Sequence, residues 1–543
     1  MTRTDSDGMK LPELLRELPV EAGEAGSAAV AELRVGGVAH DSRRVAPGDL
    51  FVAWKGERFD GTEFASQAVE AGAVAVLAPA GSERPADLPS DVPWLTTTSD
   101  PHRLLAPLAS RAYGHPDREM LVAGVTGTNG KSTVSTLLSA VFEAADVSAG
   151  LMGSLGYRLG TQFYDRGRTT PEASDLFRIL RSMRQAGAEA VAMEVSSHAL
   201  ALGRVAGLGF DLAVFTNLSR DHMDFHTDFE DYFQAKRQLF DMLKEAGGGA
   251  DGGGKPGAAA VAVEDPYGAR IAEELTQRGD RVVTWGEDEG DVHLVSHHLH
   301  EAGIRARLAT PRGELDVNSR LLGRFNLLNV LAAVAGAEAL ELDREAIRDG
   351  IGSLLPLPGR MQPVVAGQAF PVYVDYCHTP QALEAALNSL RELSERRILV
   401  VFGCGGDRDK GKRPIMGKVA GELADLPILT SDNPRTEDPL EILAMVEEGV
   451  EESGNGAYRV VADRREAIRL AMELADEDSL VLIAGKGDEP IQIVGSRELP
   501  FFDHDEAVKA LELRKEKAAE ADRAASAAGR SGTGGGAGDG GAA

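Results

Sequence analysis

Short apolar runs alternate with helix-length segments through the middle of the chain. Residues 190–195, 212–216 and 258–263 are dominated by Ala, Val, Leu, Met and Phe, without a regular polar face. Runs of this kind are typical of strands that are buried on both sides of a parallel sheet. The alternation predicts a doubly wound α/β sheet in this part of the chain.

The same alternation returns nearer the C-terminus. Residues 372–374, 398–402, 427–429 and 480–484 are further apolar runs, each separated from the next by a segment of helical length. They predict a second, smaller α/β domain.

Prolines, glycines and turn residues divide the chain into predicted units of 1–112, 113–355 and 356–517. Pro116 precedes the first strand of the middle unit, and two prolines in 355–359 interrupt the helical pattern before the third. In the first unit, the turns 47–49 and 60–61 separate short strands and helices. We predict a flexible surface insertion at the glycine-rich residues 246–257. Residues 518–543 are rich in Gly, Ala and Ser, and we predict a disordered tail there.

A glycine-rich turn follows the apolar run 120–123. Residues 124–133 read Gly-Val-Thr-Gly-Thr-Asn-Gly-Lys-Ser-Thr, the order of a phosphate-binding loop between a strand and a helix. Such a loop turns backbone amides toward an anion, and the helix adds its positive end. Gly124 lies one residue earlier than the usual first glycine, with Val125 in that place. We predict that the chain binds a nucleoside triphosphate through Gly127, Thr128, Asn129, Gly130, Lys131, Ser132 and Thr133, with the Ser132 hydroxyl on magnesium.

Polar groups at the ends of the next two predicted strands are candidates for metal chemistry. Glu194 ends an apolar strand, where an acidic residue near a phosphate loop is a typical magnesium ligand. His222 lies in Asn-Leu-Ser-Arg-Asp-His-Met-Asp-Phe-His, residues 217–226. This cluster is either a second metal position or a hydrogen-bonded loop, and its residues favour neither. Lys236 alone is indistinguishable from a surface lysine.

Three polar loops follow strands of the C-terminal unit: residues 403–414, 432–435 and 485–489. Each lies at the carboxyl end of a predicted strand, so we expect the three to converge on one pocket. Arginine fits carboxylates and acidic residues fit ammonium groups, so the mixture indicates a zwitterionic ligand such as an amino acid.

Composition narrows the class of protein. The chain has 543 residues, of which 43% are hydrophobic, and a formal net charge of −28. This charge argues against nucleic acid and anionic membrane surfaces as partners. Cys377 and Cys404 are too few for a disulfide framework. With a polar N-terminus and no apolar run that could span a bilayer, we expect a cytoplasmic protein.

The motifs together resemble the Mur ligase family, over about residues 25–515. The resemblance is closest to the members that add diaminopimelate. The matching motifs are Thr-Gly-Thr-Asn-Gly-Lys-Ser-Thr, Glu-Val-Ser-Ser-His, Asn-Leu-Ser-Arg-Asp-His, Gly-Arg-Phe-Asn-Leu-Leu-Asn and Val-Asp-Tyr-Cys-His-Thr-Pro. It implies a three-domain α/β architecture, with a central phosphate-loop sheet and a Rossmann-like C-terminal domain. The family also carries the extra residue in its phosphate loop.

The resemblance assigns expected roles to individual residues. Ser42, Thr169, Thr170, Ser196 and Arg204 match the contacts to the UDP-linked substrate, and Asn326 and Asp375 match those to adenine and ribose. Lys236 falls at the position of the carbamylated lysine of the family. The resemblance therefore implies a functional residue where the sequence alone indicated only a surface lysine. With Ser132, Glu194 and His222, Lys236 completes the expected magnesium ligands, and Lys131, Glu194, His222 and Lys236 are the expected catalytic residues. The contacts to diaminopimelate fall on Arg408, Asp432, Asn433, Pro434, Arg435, Gly485 and Glu489.

The expected reaction is ATP- and Mg²⁺-dependent ligation of meso-2,6-diaminopimelate to UDP-N-acetylmuramoyl-L-alanyl-D-glutamate, in peptidoglycan synthesis, by a monomer. Arg435 favours diaminopimelate over lysine, because lysine lacks the distal carboxylate that would pair with it. Asp488 stands where the family usually has histidine. A lysine-adding Mur ligase, a ligase like folylpolyglutamate synthase, and a nucleotide-gated binding protein are the alternatives.

Overall fold

Three units, each with its own principal sheet, make up the computed structural model. The structure describes residues 8–22, 27–56, 59–165, 167–245 and 255–531. Most of the predicted insertion at 246–257 lies outside the described residues. No described helix is both long enough and apolar enough to cross a lipid bilayer.

The N-terminal unit is a five-stranded sheet in the order β2-β7-β6-β5-β4, flanked by short helices and a two-stranded ribbon of β1 and β3. Strands β4 to β7 are parallel, and β2 is antiparallel at the edge. Its elements are β1 Met9–Lys10, α1 Leu11–Leu14, β2 Val20–Ala22, α2 Ser27–Glu32, β3 Arg34–Val35, β4 Gly37–Ala39, β5 Asp49–Val52, α3 Ala65–Glu70, β6 Ala75–Pro79, β7 Trp94–Thr97 and α4 Pro101–Ala112.

The central unit has an eight-stranded sheet in the order β11-β10-β9-β12-β8-β13-β14-β15. The apolar runs at 190–195, 212–216 and 258–263 form parallel strands of this sheet, as predicted, with β8 between the first run and the other two. Its elements are β8 Leu121–Thr126, α5 Lys131–Ala144, β9 Ala149–Gly153, β10 Gly156–Leu159, β11 Gln162–Asp165, α6 Ala173–Gln185, β12 Ala190–Glu194, α7 Ser197–Ala201, β13 Leu212–Phe215, α8 Phe229–Arg237, β14 Ala258–Ala262, α9 Pro266–Arg278, β15 Arg281–Trp285, β16 His293–His300, β17 Gly303–Ala309, β18 Leu315–Ser319, α10 Arg324–Ala339 and α11 Arg344–Ser353.

The C-terminal unit is a six-stranded sheet in the order β19-β20-β24-β21-β22-β23. Its four predicted apolar runs are the parallel strands β20, β21, β22 and β24. Its elements are β19 Gln362–Pro363, β20 Val372–Asp375, α12 Pro380–Leu393, β21 Arg397–Phe402, α13 Lys412–Leu423, β22 Leu426–Leu429, α14 Pro439–Glu452, β23 Arg459–Val460, α15 Arg464–Leu474, β24 Ser479–Ala484, β25 Ile491–Val494, β26 Arg497–Pro500 and α16 Asp503–Ser531.

The helix α16 continues past Ala518, where we predicted a disordered tail to begin. Residues 518–531 include seven Ala, which has the highest helix propensity, and this composition favours continuation of the helix. Residues 532–543 of the predicted tail lie outside the described residues.

The apolar clusters are shared to different extents between the three units. One continuous apolar cluster runs through the N-terminal and central units, whereas the two faces of the C-terminal sheet carry separate clusters. The N-terminal and central units are therefore packed as one body. The central and C-terminal units share a smaller apolar contact, because Leu322 lies in the cluster on one face of the C-terminal sheet and Phe325 packs against it. The ion pair between Arg220 and Asp409 also joins these two units.

Candidate active site

The phosphate loop joins β8 to α5 at the middle of the central sheet. Gly127 and Gly130 have φ of 146° and 88°. A Cβ on Gly127 would lie 1.9 Å from Thr216 Oγ1, and one on Gly130 would lie 2.4 Å from Asn329 Oδ1. Both the backbone angle and the space therefore require glycine at these two positions.

A cavity of about 620 Å³ opens in front of this loop. The phosphate loop and the ends of β12 and β13 line one side, and Arg360 and residues 375–378 of the C-terminal unit line the other. This volume is in the range of sites that hold a cofactor-sized ligand. The location, where strands end and the order of the sheet reverses, is where open α/β sheets bind their ligands.

Two lysine amines converge on a single carbonyl of the phosphate loop. Lys131 Nζ donates to Gly127 O at 3.0 Å and to Thr128 O at 2.8 Å, and Lys236 Nζ donates to Gly127 O at 2.7 Å. Burial lowers the pKa of Lys131, against the opposing charges of Glu194 and Asp221. Burial, and then the charge of Lys131, holds the pKa of Lys236 well below its usual value. Lys236 is 1% exposed, so its amine is favoured in the neutral form.

Oxygen ligands gather beside the loop. Glu194 Oε1 accepts hydrogen bonds from Ser154 N at 2.8 Å and from Ser154 Oγ at 3.1 Å, and Ser154 Oγ lies 3.0 Å from Ser132 Oγ. Within the described residues, no three His, Cys, Asp or Glu side chains are grouped closely enough to hold a metal. One carboxylate and hydroxyls nevertheless suit Mg²⁺, which is typically held by one or two carboxylates together with the phosphates of a substrate. The site therefore fits magnesium that arrives with a nucleotide.

His222 faces the same cavity from the loop after β13. Its backbone has φ of 56°, and its Nε2 lies 3.4 Å from Asp221 Oδ2. Burial lowers the pKa of His222 to about 3, although the charge of Asp221 opposes this. A neutral imidazole is the form that coordinates a metal. His378 belongs to the C-terminal unit, and its Nε2 lies 3.6 Å from the same oxygen, Asp221 Oδ2.

Burial alone would raise the pKa of Asp221. Its contacts with His378 and His222 instead hold that pKa well below the usual value.

Arg360 is a residue at this site that the sequence analysis missed. Its Nη2 lies 3.3 Å from Ser132 Oγ, Nη1 lies 3.7 Å from Asp488 Oδ1, and the guanidinium stacks 4.5 Å from the ring centre of Tyr376. The arginine thus extends from the C-terminal unit to the phosphate loop. In the sequence, the feature that could have identified Arg360 is its position directly after the predicted domain boundary at 355–359.

The two expected adenine and ribose contacts differ in position. Asp375 lines the cavity and accepts hydrogen bonds from the backbone of Met361 and Cys377. Asn326 is 1% exposed and lies behind the cavity wall, where its Oδ1 accepts a hydrogen bond from Asn329 Nδ2 at 3.0 Å. Asn329 is the side chain that lines the cavity. Asn326 therefore supports the wall in this conformation rather than forming it.

The residues expected to bind the UDP-linked substrate form a path away from the phosphate loop. Thr169 and Ser196 line the main cavity, and Thr170 Oγ1 bonds to the backbone of Glu194 and Ser196. Arg204 extends this path, with Nε 2.8 Å from Glu172 Oε1. Burial would raise the pKa of Glu172, but hydrogen bonding to His102 and the charges of Arg204 and Arg168 lower it to about 2.

Ser42 belongs to the N-terminal unit and donates to Gln67 Oε1 at 2.9 Å. A second cavity, of about 600 Å³, lies between this unit and α6. His40 lines that cavity, but Ser42 does not.

The structure brings together the three loops of the C-terminal unit. Asn433 Nδ2 donates to Glu489 Oε2 at 2.8 Å, and Arg435 Nη1 donates to Gly406 O at 2.7 Å. A Cβ on Gly485 would lie 2.9 Å from Asp432 Oδ2, so these two loops are also in direct contact. Pro434 and Arg408 lie on the same loops.

Tyr376 connects this group of loops to the nucleotide cavity. Tyr376 lines the cavity, and its hydroxyl is 3.5 Å from Glu489 Oε1. The three loops of the C-terminal unit therefore lie directly behind the cavity wall.

Three models of one family match most of the chain. Residues 34–113 match "Mur ligase family, catalytic domain", residues 125–337 match "Mur ligase middle domain", and residues 359–487 match "Mur ligase, glutamate ligase domain". The chain belongs to the Mur ligase family.

Curated relatives narrow the comparison. Proteins named UDP-N-acetylmuramoyl-L-alanyl-D-glutamate--2,6-diaminopimelate ligase from Geobacter metallireducens and Streptomyces coelicolor are each 42% identical to this chain. The alignments cover 92% and 91% of this chain and 98% and 96% of those relatives.

A solved structure of a ligase with the same name is 30% identical, with a TM-score of 0.61 over 94% of this chain and 99% of that one. A MurF ligase from Thermotoga maritima in complex with ADP shares the fold at 19% identity, with a TM-score of 0.60 over 89% and 98% of the two chains.

Proposed function

We propose that this protein is the ATP-dependent ligase that joins meso-2,6-diaminopimelate to the D-glutamyl γ-carboxyl group of UDP-N-acetylmuramoyl-L-alanyl-D-glutamate. The observation that carries the proposal is the juxtaposition of the phosphate loop with the three loops around Arg435 and Glu489, separated by Tyr376. The names of the relatives support the same substrate pair.

The nucleotide is proposed to be ATP. The cavity offers backbone amides of the phosphate loop, the Lys131 amine and the Arg360 guanidinium at the place where a triphosphate would lie. Magnesium, held by Ser132 and Glu194, would neutralise charge on the transferring phosphoryl group. The known complex of a MurF ligase with ADP supports this assignment through the shared fold.

The proposed reaction has two steps. The glutamyl γ-carboxylate attacks the γ-phosphorus of ATP, forming an acyl phosphate and releasing ADP. The neutral amine of diaminopimelate then attacks the acyl carbon, inorganic phosphate leaves, and the ammonium formed loses a proton. Lys131 and Arg360 would stabilise the negative charge on the oxygens of the phosphoryl group, because both side chains contact the loop that would hold it.

Lys236 is proposed to act as a carbamate. Its burial and its depressed pKa favour the neutral amine, which is the form that adds carbon dioxide. The product is an anion with two oxygens, which would join His222 in holding a second magnesium where an ammonium group would repel it. The Tyr232 ring, 4.5 Å from Nζ, limits where the new group can point.

Selectivity for diaminopimelate is assigned to Arg435. Its side chain is partly buried, and its Nη1 contacts Gly405 and donates to Gly406 O. The distal carboxylate of diaminopimelate would supply its counter-charge, whereas lysine would bring an ammonium group toward it. Removing the partner of a fully buried ion typically costs about 3–5 kcal/mol, and the partial exposure of Arg435 makes the cost here smaller. The sign still disfavours lysine.

We further propose that the enzyme acts in the cytoplasm as a monomer and contributes to peptidoglycan synthesis. Both cysteines are free and buried, which suits a reducing compartment.

The decisive experiment measures phosphate release from ATP with the UDP-muramoyl dipeptide, offering meso-diaminopimelate, lysine or glutamate in turn. We expect release only with diaminopimelate. Release with lysine alone would overturn the specificity. A parallel assay with glutamate and a folate acceptor tests the folylpolyglutamate-like ligase, which release in that assay alone would favour. No response to any amine in either assay would leave a nucleotide-gated binding protein.

A further inference from the structure

An ion pair crosses the cleft between the central and C-terminal units. Arg220 Nε donates to Asp409 Oδ2 at 2.9 Å, and Arg220 Nη2 donates to Asp409 Oδ1 at 3.3 Å. The Asp409 side chain is 9% exposed, and it is oriented by a hydrogen bond from Gly411 N to Oδ1 at 2.8 Å. Two parallel hydrogen bonds fix the angle as well as the distance between the two loops.

The pair lies beside functional residues on both units. Arg220 is two residues before His222, on the loop after β13, and Asp409 follows Arg408 on the loop after β21. A second contact joins the same loops, with Arg408 Nη1 3.9 Å from Asp224 Oδ2. Neither Arg220 nor Asp409 lines the nucleotide cavity. The pair therefore contacts the two loops without occupying the site that binds ATP.

We propose that Arg220 and Asp409 are positioning residues that set how the loop carrying Arg408 sits against the loop carrying His222. This inference rests on the proposed function, in which Arg408 contacts the incoming amino acid and His222 lies near the acyl phosphate. When the two loops are held in a fixed relative position, the amine of the amino acid is held close to the acyl carbon. A displacement of about 1 Å at such a junction is enough to slow a reaction about a hundredfold.

The pair is suited to a contact that forms and breaks in each catalytic cycle. The Arg220 side chain is 44% exposed, so solvent screens the attraction and keeps it modest. Among the described residues, the apolar clusters of the C-terminal sheet take in Leu322 and Phe325 of the central unit and are otherwise separate from the cluster of the other two units. Polar contacts therefore add to a limited apolar contact in the closed state. A partly exposed ion pair can favour closure without preventing product release.

Charge reversal tests the proposal. Arg220→Asp and Asp409→Arg are made singly and together. Two quantities are measured for each protein: kcat/KM for diaminopimelate, and the affinity of the free enzyme for ADP. We expect each single variant to lose about tenfold or more, equivalent to about 1.4 kcal/mol, and the double variant to recover most of it. ADP affinity should stay within about twofold throughout, because the nucleotide cavity is unchanged.

The matched control is an ion pair of similar geometry within one unit. Arg307 Nε and Asp316 Oδ1 are 2.8 Å apart on the neighbouring strands β17 and β18, and the Arg307 side chain is 51% exposed. The reversals Arg307→Asp and Asp316→Arg should leave kcat/KM unchanged. Loss of ADP binding in a single variant at Arg220 or Asp409, or no recovery in the double variant, would overturn the proposal.

A distance measurement separates failure of this inference from failure of the proposed function. Spin labels are placed on Glu273→Cys in α9 and Glu441→Cys in α14, which are exposed, while Cys377 and Cys404 are buried. Each single reversal should lengthen or broaden the distance between the units, and the double variant should restore it. If the wild-type protein does not use diaminopimelate in the phosphate assay, only the proposed function is refuted. Identical distances in all four proteins would refute the positioning role.

Discussion

Lys236→Met distinguishes a chemical role of the buried amine from a structural one. Methionine keeps a flexible apolar side chain of similar length and removes only the amine. The lost hydrogen bond to Gly127 O, 2.7 Å long, is worth about 0.5–1.5 kcal/mol. The variant also removes a group that is 1% exposed and whose burial is unfavourable in the charged form.

The depressed pKa of Lys236 determines the sign of the effect on stability. Between the folded pKa and the unfolded pKa of about 10.4, the unfolded chain binds a proton that the native protein lacks. The free energy of unfolding of the wild type therefore rises with pH in this window, by up to about 1.4 kcal/mol per pH unit. Methionine has no such proton, so in carbon-dioxide-depleted buffer the variant should be more stable than the wild type near pH 7, and this advantage should shrink toward about pH 9.

The same substitution should reduce kcat for phosphate release by about a hundredfold or more, because it removes a ligand that stabilises the transition state. Mass spectrometry of freshly purified wild-type protein should show a fraction heavier by one carbon dioxide at Lys236. Urea unfolding, the phosphate assay and the intact mass together give the three readouts.

Lys244→Met is the matched control. Lys244 is also mostly buried, but its Nζ forms an ion pair with Asp211 Oδ2 at 2.7 Å, away from the cavity. Its loss should lower the free energy of unfolding by about 1–3 kcal/mol, allowing for the partial exposure of Asp211, and leave kcat unchanged. Full activity in Lys236→Met, or a loss of stability like that of the control, would contradict the role given to Lys236.

The remaining predictions concern the nucleotide, the amino acid and the fold. Gly127→Ala should weaken ADP binding at least about tenfold in fluorescence titration, because the new Cβ would lie 1.9 Å from Thr216 Oγ1 at a φ of 146°. Arg435→Ala should abolish the use of diaminopimelate in the phosphate assay while ADP binding is retained. Asp503→Ala should lower the free energy of urea unfolding by about 3–5 kcal/mol, because it strands Arg464 in an ion pair whose side chains are both 0% exposed.

Controls of similar chemistry accompany these variants. Gly160→Ala also has a positive φ, but its Cβ would meet nothing within 4 Å, so ADP affinity should not change. Arg464→Met combined with Asp503→Leu should recover much of the stability lost in Asp503→Ala, because no charge is left unpaired. Wild-type kinetics in Arg435→Ala, or tight ADP binding in Gly127→Ala, would contradict the assignments above.

Local patterns identified much of the fold and the nucleotide loop. The apolar runs predicted the parallel strands of both sheets, because a strand buried on both faces has a composition that is visible in sequence. The glycines and Lys131 predicted the phosphate loop, because backbone angles and a helix start depend on neighbouring residues. The predicted start of a disordered tail at residue 518 differs from the structure, in which α16 continues to Ser531 through an Ala-rich segment of high helix propensity.

Only the tertiary structure decided which side chains meet. In the sequence, Lys236 resembles any surface lysine. Its pKa is depressed because α8 buries the amine and, second, because Lys131 lies close to it. Asn326 lies behind the cavity wall because of the packing of α10, and Arg360 lies in the site because of the path of the chain after residues 355–359. Local sequence specifies backbone conformation over a few residues, whereas the approach of groups a hundred or more residues apart depends on how whole units pack.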